Sequence, residues 1–263
     1  MVIPTIPKDF NKISYNFKFY KKYINGINNF VFIGDEKVEK LIRDQKSFFE
    51  IPLTFINEKN LIDVDKIKNL IKNRNIFAIK RSGWYIQQFL KMQYCKICKD
   101  KYYLIWDSDT IPVKEVKMFN NYGKPYFDVR REYNKPYFNT MKKVFHNLRK
   151  TYRFSFISEH MLIKTDIMKI LINRININHD ISGKTWYEKI INCIEKEALV
   201  VSGFSEFETY GTFVNEYYRK IYSKRLWKSV RLVNSFNNPI HLNDNDLKNL
   251  AKNSYAVSFE NWN

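Results

Sequence analysis

Glycine and proline are scarce in this chain, seven of each among 263 residues, which excludes collagen-like repeats and Pro/Gly-rich disorder. Cysteine is scarcer still. Three residues, an odd number, do not make a disulfide-stapled secreted scaffold and point to a reducing compartment. No stretch reaches the roughly 20 apolar residues that a spanning helix requires, and the opening from Met1 to Phe10 does not resemble a signal peptide. Coiled-coil character is absent too. Neither Gly-x-x-x-x-Gly-Lys-Ser/Thr nor Gly-x-Gly-x-x-Gly occurs, so P-loop and Rossmann dinucleotide readings lose their usual support. What is there is a chain 44% hydrophobic and 17% aromatic, long enough to bury a real core.

Acids are also in deficit, since 45 Lys+Arg against 27 Asp+Glu gives 45 − 27 = +18. Lys, Asn, Ile, Tyr and Phe are abundant together, the bias that AT-rich coding DNA produces, so lysine stands where other surface residues would serve. The charge still has consequences. A strongly positive surface attracts nucleic acid, anionic lipid head groups and small anions such as nucleotide diphosphates.

Periodicity alternates between strand-like and helix-like segments through the first half. Val2-Ile3-Pro4 is a short apolar opening, and Phe10, Ile13, Phe17 and Tyr20 recur at helical spacing. Asn29 to Gly34 and Ile51 to Ile56 read as strands, with a helix from about Lys37 between them. Leu61, Val64, Ile67, Leu70 and Ile71 mark an amphipathic helix, and Trp84, Gln87, Gln88 and Lys91 lie in a helical run after Gly83. Tyr102 to Trp106 is a β-rich strand that ends abruptly in acids. The alternation predicts an α/β fold of βαβ units, a mainly parallel central sheet flanked by helices. The second half predicts helices near Thr140–Lys150, Lys164–Asn173, Thr185–Lys196 and Glu206–Lys220, and a strand near Phe154–Ile163. No repeat or flexible linker divides the chain, so residues 1–263 read as one domain with an elaborated C-terminal part.

The most informative site is Tyr102-Tyr-Leu-Ile-Trp-Asp-Ser-Asp-Thr-Ile-Pro112, where a buried strand delivers Asp107 and Asp109 at its C-terminal end. Ligands of open α/β sheets bind at that edge. Side chains two apart in extended backbone point the same way, so one acid would meet a divalent cation while the other reaches the metal shell or a sugar hydroxyl. Asp63-Val-Asp65 and Asp244-Asn-Asp246 match the same pattern, but the first falls in an amphipathic helix and the second in a polar turn. An acidic turn capping the next helix is the competing reading of Asp107/Asp109.

Trp-Asp-Ser-Asp-Thr behind an apolar strand resembles the metal-binding Asp-x-Asp motif of GT-A glycosyltransferases. Ile3-Pro-Thr-Ile-Pro-Lys-Asp9 is similar to their first strand and nucleotide-side loop, and Arg81-Ser-Gly-Trp-Tyr-Ile-Gln-Gln-Phe-Leu90 to a helix before the motif. Ser158-Glu-His-Met161 and Gly203-Phe-Ser-Glu-Phe-Glu-Thr-Tyr-Gly211 are similar to segments of a bacterial group that includes capsule and lipopolysaccharide transferases. The matches run in order over roughly residues 2–215. The resemblance implies a GT-A, Rossmann-like fold, with residues 1–112 as the nucleotide-sugar half and residues 113–263 as the acceptor half and C-terminal extension.

It implies transfer of a sugar from a nucleotide diphosphate, UDP being the commonest donor carrier of the family, to a hydroxyl of a glycan or lipid-linked glycan. Mn²⁺ or Mg²⁺ would neutralise charge developing on the leaving diphosphate. By resemblance, Asp109 is the first metal ligand, Asp107 reaches the ribose, the sugar or the metal shell, and His241 is the third ligand or else a surface or capping histidine. Pro4, Thr5, Arg81 and Ser108 fall on the donor side. An inverting transfer needs a carboxylate base, and Glu206 is the first choice, with Glu208 binding acceptor or supporting the site. Ser205 followed by first-turn glutamates is equally an ordinary helix start. If Glu206 is not the base, a retaining course without one takes its place. His160 reads either as an acceptor or diphosphate contact or as a satisfied core histidine.

Cys95-Lys-Ile-Cys98 has the spacing of a zinc or redox pair but lacks a second pair; two ordinary helical thiols are the simpler reading. The run from Tyr217 to Arg231 mixes bases with aromatics. It suits an anionic membrane interface, single-stranded nucleic acid, or a solvated helix followed by a strand. Two function classes result. One is a metal-dependent transferase acting on a bacterial surface-glycan precursor, cytoplasmic and peripheral at the inner face of the plasma membrane, with no nucleic-acid partner. The other is a nucleic-acid-binding protein or metal-dependent nuclease, which no recognisable binding motif supports.

Overall fold

The computed structural model describes residues 1–44, 51–146, 148–233 and 242–260. In chain order the first half comprises β1 (Val2–Pro4), α1 (Pro7–Tyr23), β2 (Phe30–Gly34), α2 (Glu36–Asp44), β3 (Leu53–Asn57), α3 (Val64–Arg74), α4 (Ser82–Gln93), β4 (Tyr102–Trp106) and β5 (Thr110–Pro112). There follow β6 (Tyr126–Val129), α5 (Lys135–Val144), β7 (His160–Lys164), α6 (Thr165–Asn176), α7 (Trp186–Cys193), α8 (Lys196–Leu199) and α9 (Glu206–Tyr217). The chain closes with β8 (Ser223–Leu226), β9 (Ser229–Val233), α10 (Asp244–Asn253) and β10 (Ala256–Glu260).

Five strands form the central sheet in the order β3-β2-β1-β4-β7. The first four run parallel, and β7 is antiparallel to β4. The expected mixed α/β fold with a mainly parallel sheet is therefore present. The sheet order reverses between β1 and β4, and the C-terminal ends of those two strands open the crevice that such a reversal creates. Period-two alternation divides the core between the two faces. Val2, Val31, Ile33, Tyr103, Ile105, Met161 and Ile163 face the larger cluster, under α3, α4, α6, α7 and α9. Ile3, Phe30, Phe32, Leu104, Trp106 and Leu162 face the other, under α1 and α2. A three-stranded sheet, β5-β10-β9, and a parallel pair, β6-β8, extend the fold beyond the end of β4. No helix among the described residues is long and apolar enough to cross a membrane.

Local chemistry explains where the elements depart from expectation. The helix expected from Thr140 begins at Lys135, because Pro136 fits the first helical turn, where its missing N–H leaves no bond unmade. The strand expected from Phe154 forms only from His160. Glu159 has φ 59°, a left-handed backbone that interrupts extended pairing. The basic-aromatic run after Tyr217 turns inward as β8 and β9, with Tyr222 and Trp227 buried. Asp63 caps α3 by accepting the Lys66 N–H at 2.9 Å, and Asp244 and Asp246 sit in the first turn of α10, so both spare Asp-x-Asp matches are helix starts. Cys95, Cys98 and Cys193 are buried free thiols.

Gly211, inside α9, lies so close to the segment leading into β7 that an added Cβ would stand 2.1 Å from Phe156 Cγ. Phe156 is fully buried against Phe127 and Tyr152 and has nowhere to move. Gly211→Ala is expected to lower stability by roughly 1–3 kcal/mol despite its better helix propensity. Urea unfolding of the variant measures this, and an unchanged midpoint would refute the tight packing.

Candidate functional site

The turn joining β4 to β5 carries Asp107, Ser108 and Asp109, and the surrounding elements fix it from several sides. The Asp107 N–H donates to the Glu159 carbonyl at 2.9 Å, and the Thr110 N–H returns to the Asp107 carbonyl at 3.1 Å. From α1, Asn16 Nδ2 donates to the Ser108 carbonyl at 2.9 Å and the Tyr20 hydroxyl to the Thr110 carbonyl at 3.2 Å. The Trp106 indole donates to that same carbonyl at 2.8 Å. From β10, the Phe259 N–H donates to the Asp109 carbonyl at 2.9 Å. With the backbone held this way, the two carboxylates are presented at the sheet edge without a further ordering cost.

Lys91, on α4, lies directly behind Asp107. Its side chain is 3% exposed, yet its ammonium bonds Asp107 Oδ1 at 2.5 Å and Glu206 Oε1 at 2.9 Å. Burial alone would push this lysine toward neutrality; the charges and hydrogen bonds of the two carboxylates outweigh it and raise its pKa well above the ordinary lysine range. Burial pushes the Glu206 carboxyl up, and Lys91 offsets only part of that rise. Gln88, one turn before Lys91, accepts the Glu206 N–H at 3.1 Å. Ser205 caps α9, its hydroxyl accepting the Glu208 N–H at 3.2 Å.

A polar cavity of about 480 Å³ opens in front of the turn, walled by Asp107, Ser108, Asp109 and Arg81, with Lys8, Asp9 and Lys12 from α1. Arg81 donates Nε to the Val201 carbonyl at 2.7 Å and lays its guanidinium over the Trp84 ring at 4.8 Å. A second cavity of about 450 Å³ takes in Pro4 and Thr5 and shares Lys8, Asp9, Trp84 and Gln87 with the first. The donor-side residues singled out in the sequence thus gather in one continuous region. Glu206 and Glu208 wall neither cavity. Glu206 is 4% exposed behind Asp107, and Glu208 is 1% exposed, accepting the Phe156 N–H at 3.1 Å with Lys150 3.9 Å away. His241 lies outside the described residues.

Among the described residues no group of three or more His, Cys, Asp or Glu side chains is arranged to hold a metal ion. Three carboxylates do share the cavity: Asp9 lies 3.6 Å from Lys12, Asp107 already gives one oxygen to Lys91, and Asp109 accepts the Thr110 hydroxyl at 3.2 Å. Such a donor set does not fit a closed protein cage. It fits Mg²⁺ or Mn²⁺ carried in with a diphosphate, where one or two carboxylates and phosphate oxygens divide the coordination.

Beside the turn, Glu159 and Asp128 organise a buried ionic network. Glu159 accepts from Arg130 at 2.5 Å, Trp227 at 2.8 Å, Ser229 at 3.0 Å and Arg231 at 2.9 Å. Asp128 takes Arg225 through two bonds, 2.6 and 2.7 Å, and His160 Nε2 at 2.9 Å. Burial opposes ionisation of Asp128, but Arg225 and His160 outweigh it and hold its carboxyl below the ordinary range. His160 Nδ1 faces the Ser158 carbonyl at 2.8 Å, and its ring stacks on Trp106. It is a fully bonded core histidine away from the cavity.

Lys91, Gln88, Asp9, Lys8 and Lys12 escaped the sequence reading as site residues. The signal for the first two was present, because Gln88 and Lys91 fall at helical spacing among the apolar residues Tyr85, Ile86, Phe89 and Leu90 of α4.

The sequence model of DUF6492, a family of unknown function, matches residues 5–241, and the chain belongs to that family. No curated protein matches it. Among solved structures, mouse xyloside xylosyltransferase 1 in its apo form is similar, with a TM-score of 0.48 and 10% sequence identity over 98% of this chain and 96% of that one.

Replacing Lys91 by Met strands the Glu206 charge in the interior. Removing one partner of a buried pair costs about 3–5 kcal/mol, and this loss is expected on denaturant unfolding at pH 7. Part of it returns in acid. A carboxyl whose folded pKa is raised gives stability present below the ordinary 4.5 and lost as pH rises through the raised value. Lys91→Met with Glu206→Leu should recover most of the stability at pH 7. A double variant no more stable than Lys91→Met would show that the triad is not the cause.

Proposed function

We propose that the chain is a metal-dependent glycosyltransferase that moves a sugar from a nucleotide diphosphate, UDP in the first instance, to a hydroxyl of a bacterial surface-glycan precursor. One observation carries the reading: two carboxylates at the end of a parallel strand share a single cavity with Lys8, Lys12 and Arg81. Acids alone would suit a cation and bases alone an anion. Both together suit a diphosphate with its counter-ion.

In this reading Asp109 takes the cation, as the resemblance to the Asp-x-Asp motif assigns it, while Asp107 divides its charge with Lys91. A bound Mn²⁺ or Mg²⁺ supplies neutralisation of the charge that develops on the leaving diphosphate. Arg81 and the lysines of α1 hold the phosphate oxygens, and Asp107 orients the ribose or the sugar through its second oxygen. Pro4 and Thr5 border the cavity that would take the nucleoside, with Trp84 at the join. His241 is carried as the third ligand. Glu206, bonded to Lys91 and absent from the cavity wall, sets the charge and position of Asp107, so the course favoured is a retaining transfer without a dedicated base. The acceptor class and a working place at the inner face of the plasma membrane rest on the similarity of Gly203–Gly211 and on the positive charge.

Thermal-shift titration with UDP and UDP-sugars, with and without Mn²⁺, tests the reading. A ligand at about a hundredfold excess over its Kd adds about 2.7 kcal/mol of stability. The expected shift needs the metal and disappears in Asp109→Ala. If no nucleotide shifts the wild type while DNA or RNA does, the transferase reading is wrong.

A further inference from the structure

A third cavity, of about 510 Å³, lies between α5 and residues 148–153. Its walls carry Lys142, Arg149 and Arg153, all exposed, and none of them pairs with an acid among the described residues. The one carboxylate there, Glu132, is neutralised by Arg130 at 3.2 Å and Arg231 at 3.1 Å. Three uncommitted cations around a concave site form an anion receptor in charge alone. The aromatic residues give it a second character. Tyr133 is 67% exposed and stacks on Phe138, with centroids 5.2 Å apart and planes at 12°. One face of the Tyr133 ring is therefore backed by Phe138, while the residue as a whole stays open on the cavity wall. Lys150 stiffens the floor, lying over Phe138 at 4.7 Å and Tyr152 at 4.5 Å and donating to the Phe154 carbonyl.

We infer that this cavity is a binding site for an anionic saccharide, whose sugar ring packs on Tyr133 and whose phosphate or carboxylate group is held by Lys142, Arg149 and Arg153. The size suits one or two sugar units. Planar guanidinium groups bind either oxyanion through paired hydrogen bonds. Single-stranded nucleic acid asks instead for successive stacking rings along an extended groove, and here one stacked pair closes a pocket. The site is tied to the Asp107 turn, because Arg130 and Arg231 join Glu132 to Glu159, whose carbonyl receives the Asp107 N–H. Naming the ligand an acceptor rests on the transferase reading; the site itself does not.

Calorimetric titration of the full chain tests the inference. The probes are hexagalacturonate, its uncharged methyl ester, maltose 1-phosphate, maltose, inorganic phosphate and oligothymidylate. One or both charged sugars should bind about tenfold or more tightly than their neutral counterparts, and the one preferred identifies carboxylate or phosphate as the recognised group. The Arg149→Gln/Arg153→Gln variant, its fold checked by circular dichroism, should lose about tenfold or more. Tyr133→Ala should lose about threefold, with Tyr133→Phe restoring it. Binding of neither charged sugar, unchanged binding by the double arginine variant, or inorganic phosphate binding as tightly as maltose 1-phosphate would each overturn the inference. So would oligothymidylate binding more tightly than both sugars and being lost in that variant. Titration of UDP and the other nucleoside diphosphates, each with Mn²⁺, into the same wild-type preparation separates the two readings: charged sugars bound with no nucleotide bound would end the transferase proposal and leave this site standing.

Discussion

Lys91 carries its charge into a place where an isolated ion is costly, and two carboxylates offset that cost: Glu206 from the interior and Asp107 from the cavity edge. The arrangement constrains three elements at once. It fixes the face that α4 turns toward the sheet, the depth at which α9 begins, and the position of the turn after β4. Gln88 and the Ser205 cap then follow as partners of the same junction. An apolar residue at position 91 would fill the space, but Asp107 would keep its full negative charge and Glu206 would have no reason to be buried there. The triad therefore connects the packing of the helical layer to the electrostatics of the cavity.

Much of the fold was legible because strands covered on both faces are short unbroken apolar runs and the helices follow period 3.6. Val31 and Ile33 against Phe30 and Phe32 show the two faces of β2 directly. Asp107 and Asp109 were legible for a similar reason, since acids that end an apolar strand stand out from the other Asp-x-Asp matches. What was hidden depends on pairing across long separations in sequence. Glu206 reads as a helix-entry acid, and nothing nearby announces that Lys91 meets it. Glu159 likewise gives no warning of a left-handed backbone, which tertiary bonds to Arg130, Trp227 and Arg231 impose. Arg225, Trp227 and Arg231 read as an exposed basic-aromatic run, yet their targets are buried carboxylates that only the fold brings near.

The net charge of +18 also divides differently in space from the way it divides in sequence. Arg130, Arg225, Arg231 and Lys91 are consumed by Glu159, Asp128, Glu132 and the triad, so they contribute little field outside the protein. Two groups of the cations that line cavities bear on function. Lys8, Lys12 and Arg81 stand opposite Asp107 and Asp109, and Lys142, Arg149 and Arg153 stand around Tyr133. Composition bias accounts for how many lysines there are. It does not account for bases and acids sharing the first cavity, nor for uncommitted bases lining the third.

The Glu159 network bears on how those two regions work together. Its carboxylate gathers four donors while its carbonyl receives the Asp107 N–H, and the left-handed backbone, of order 1–3 kcal/mol in cost, is what lets one residue do both. One route from Glu132, on the wall of the third cavity, to Asp107 runs through Arg130 or Arg231 and then this residue. The links between carboxylates and guanidinium groups are charge-assisted, and the last is a backbone bond from the Asp107 N–H to the Glu159 carbonyl. The network thus ties the wall of the third cavity to the turn that carries the acidic pair. It fixes where a bound anionic sugar would sit relative to the acidic pair, and the positioning follows from the fold before any ligand arrives.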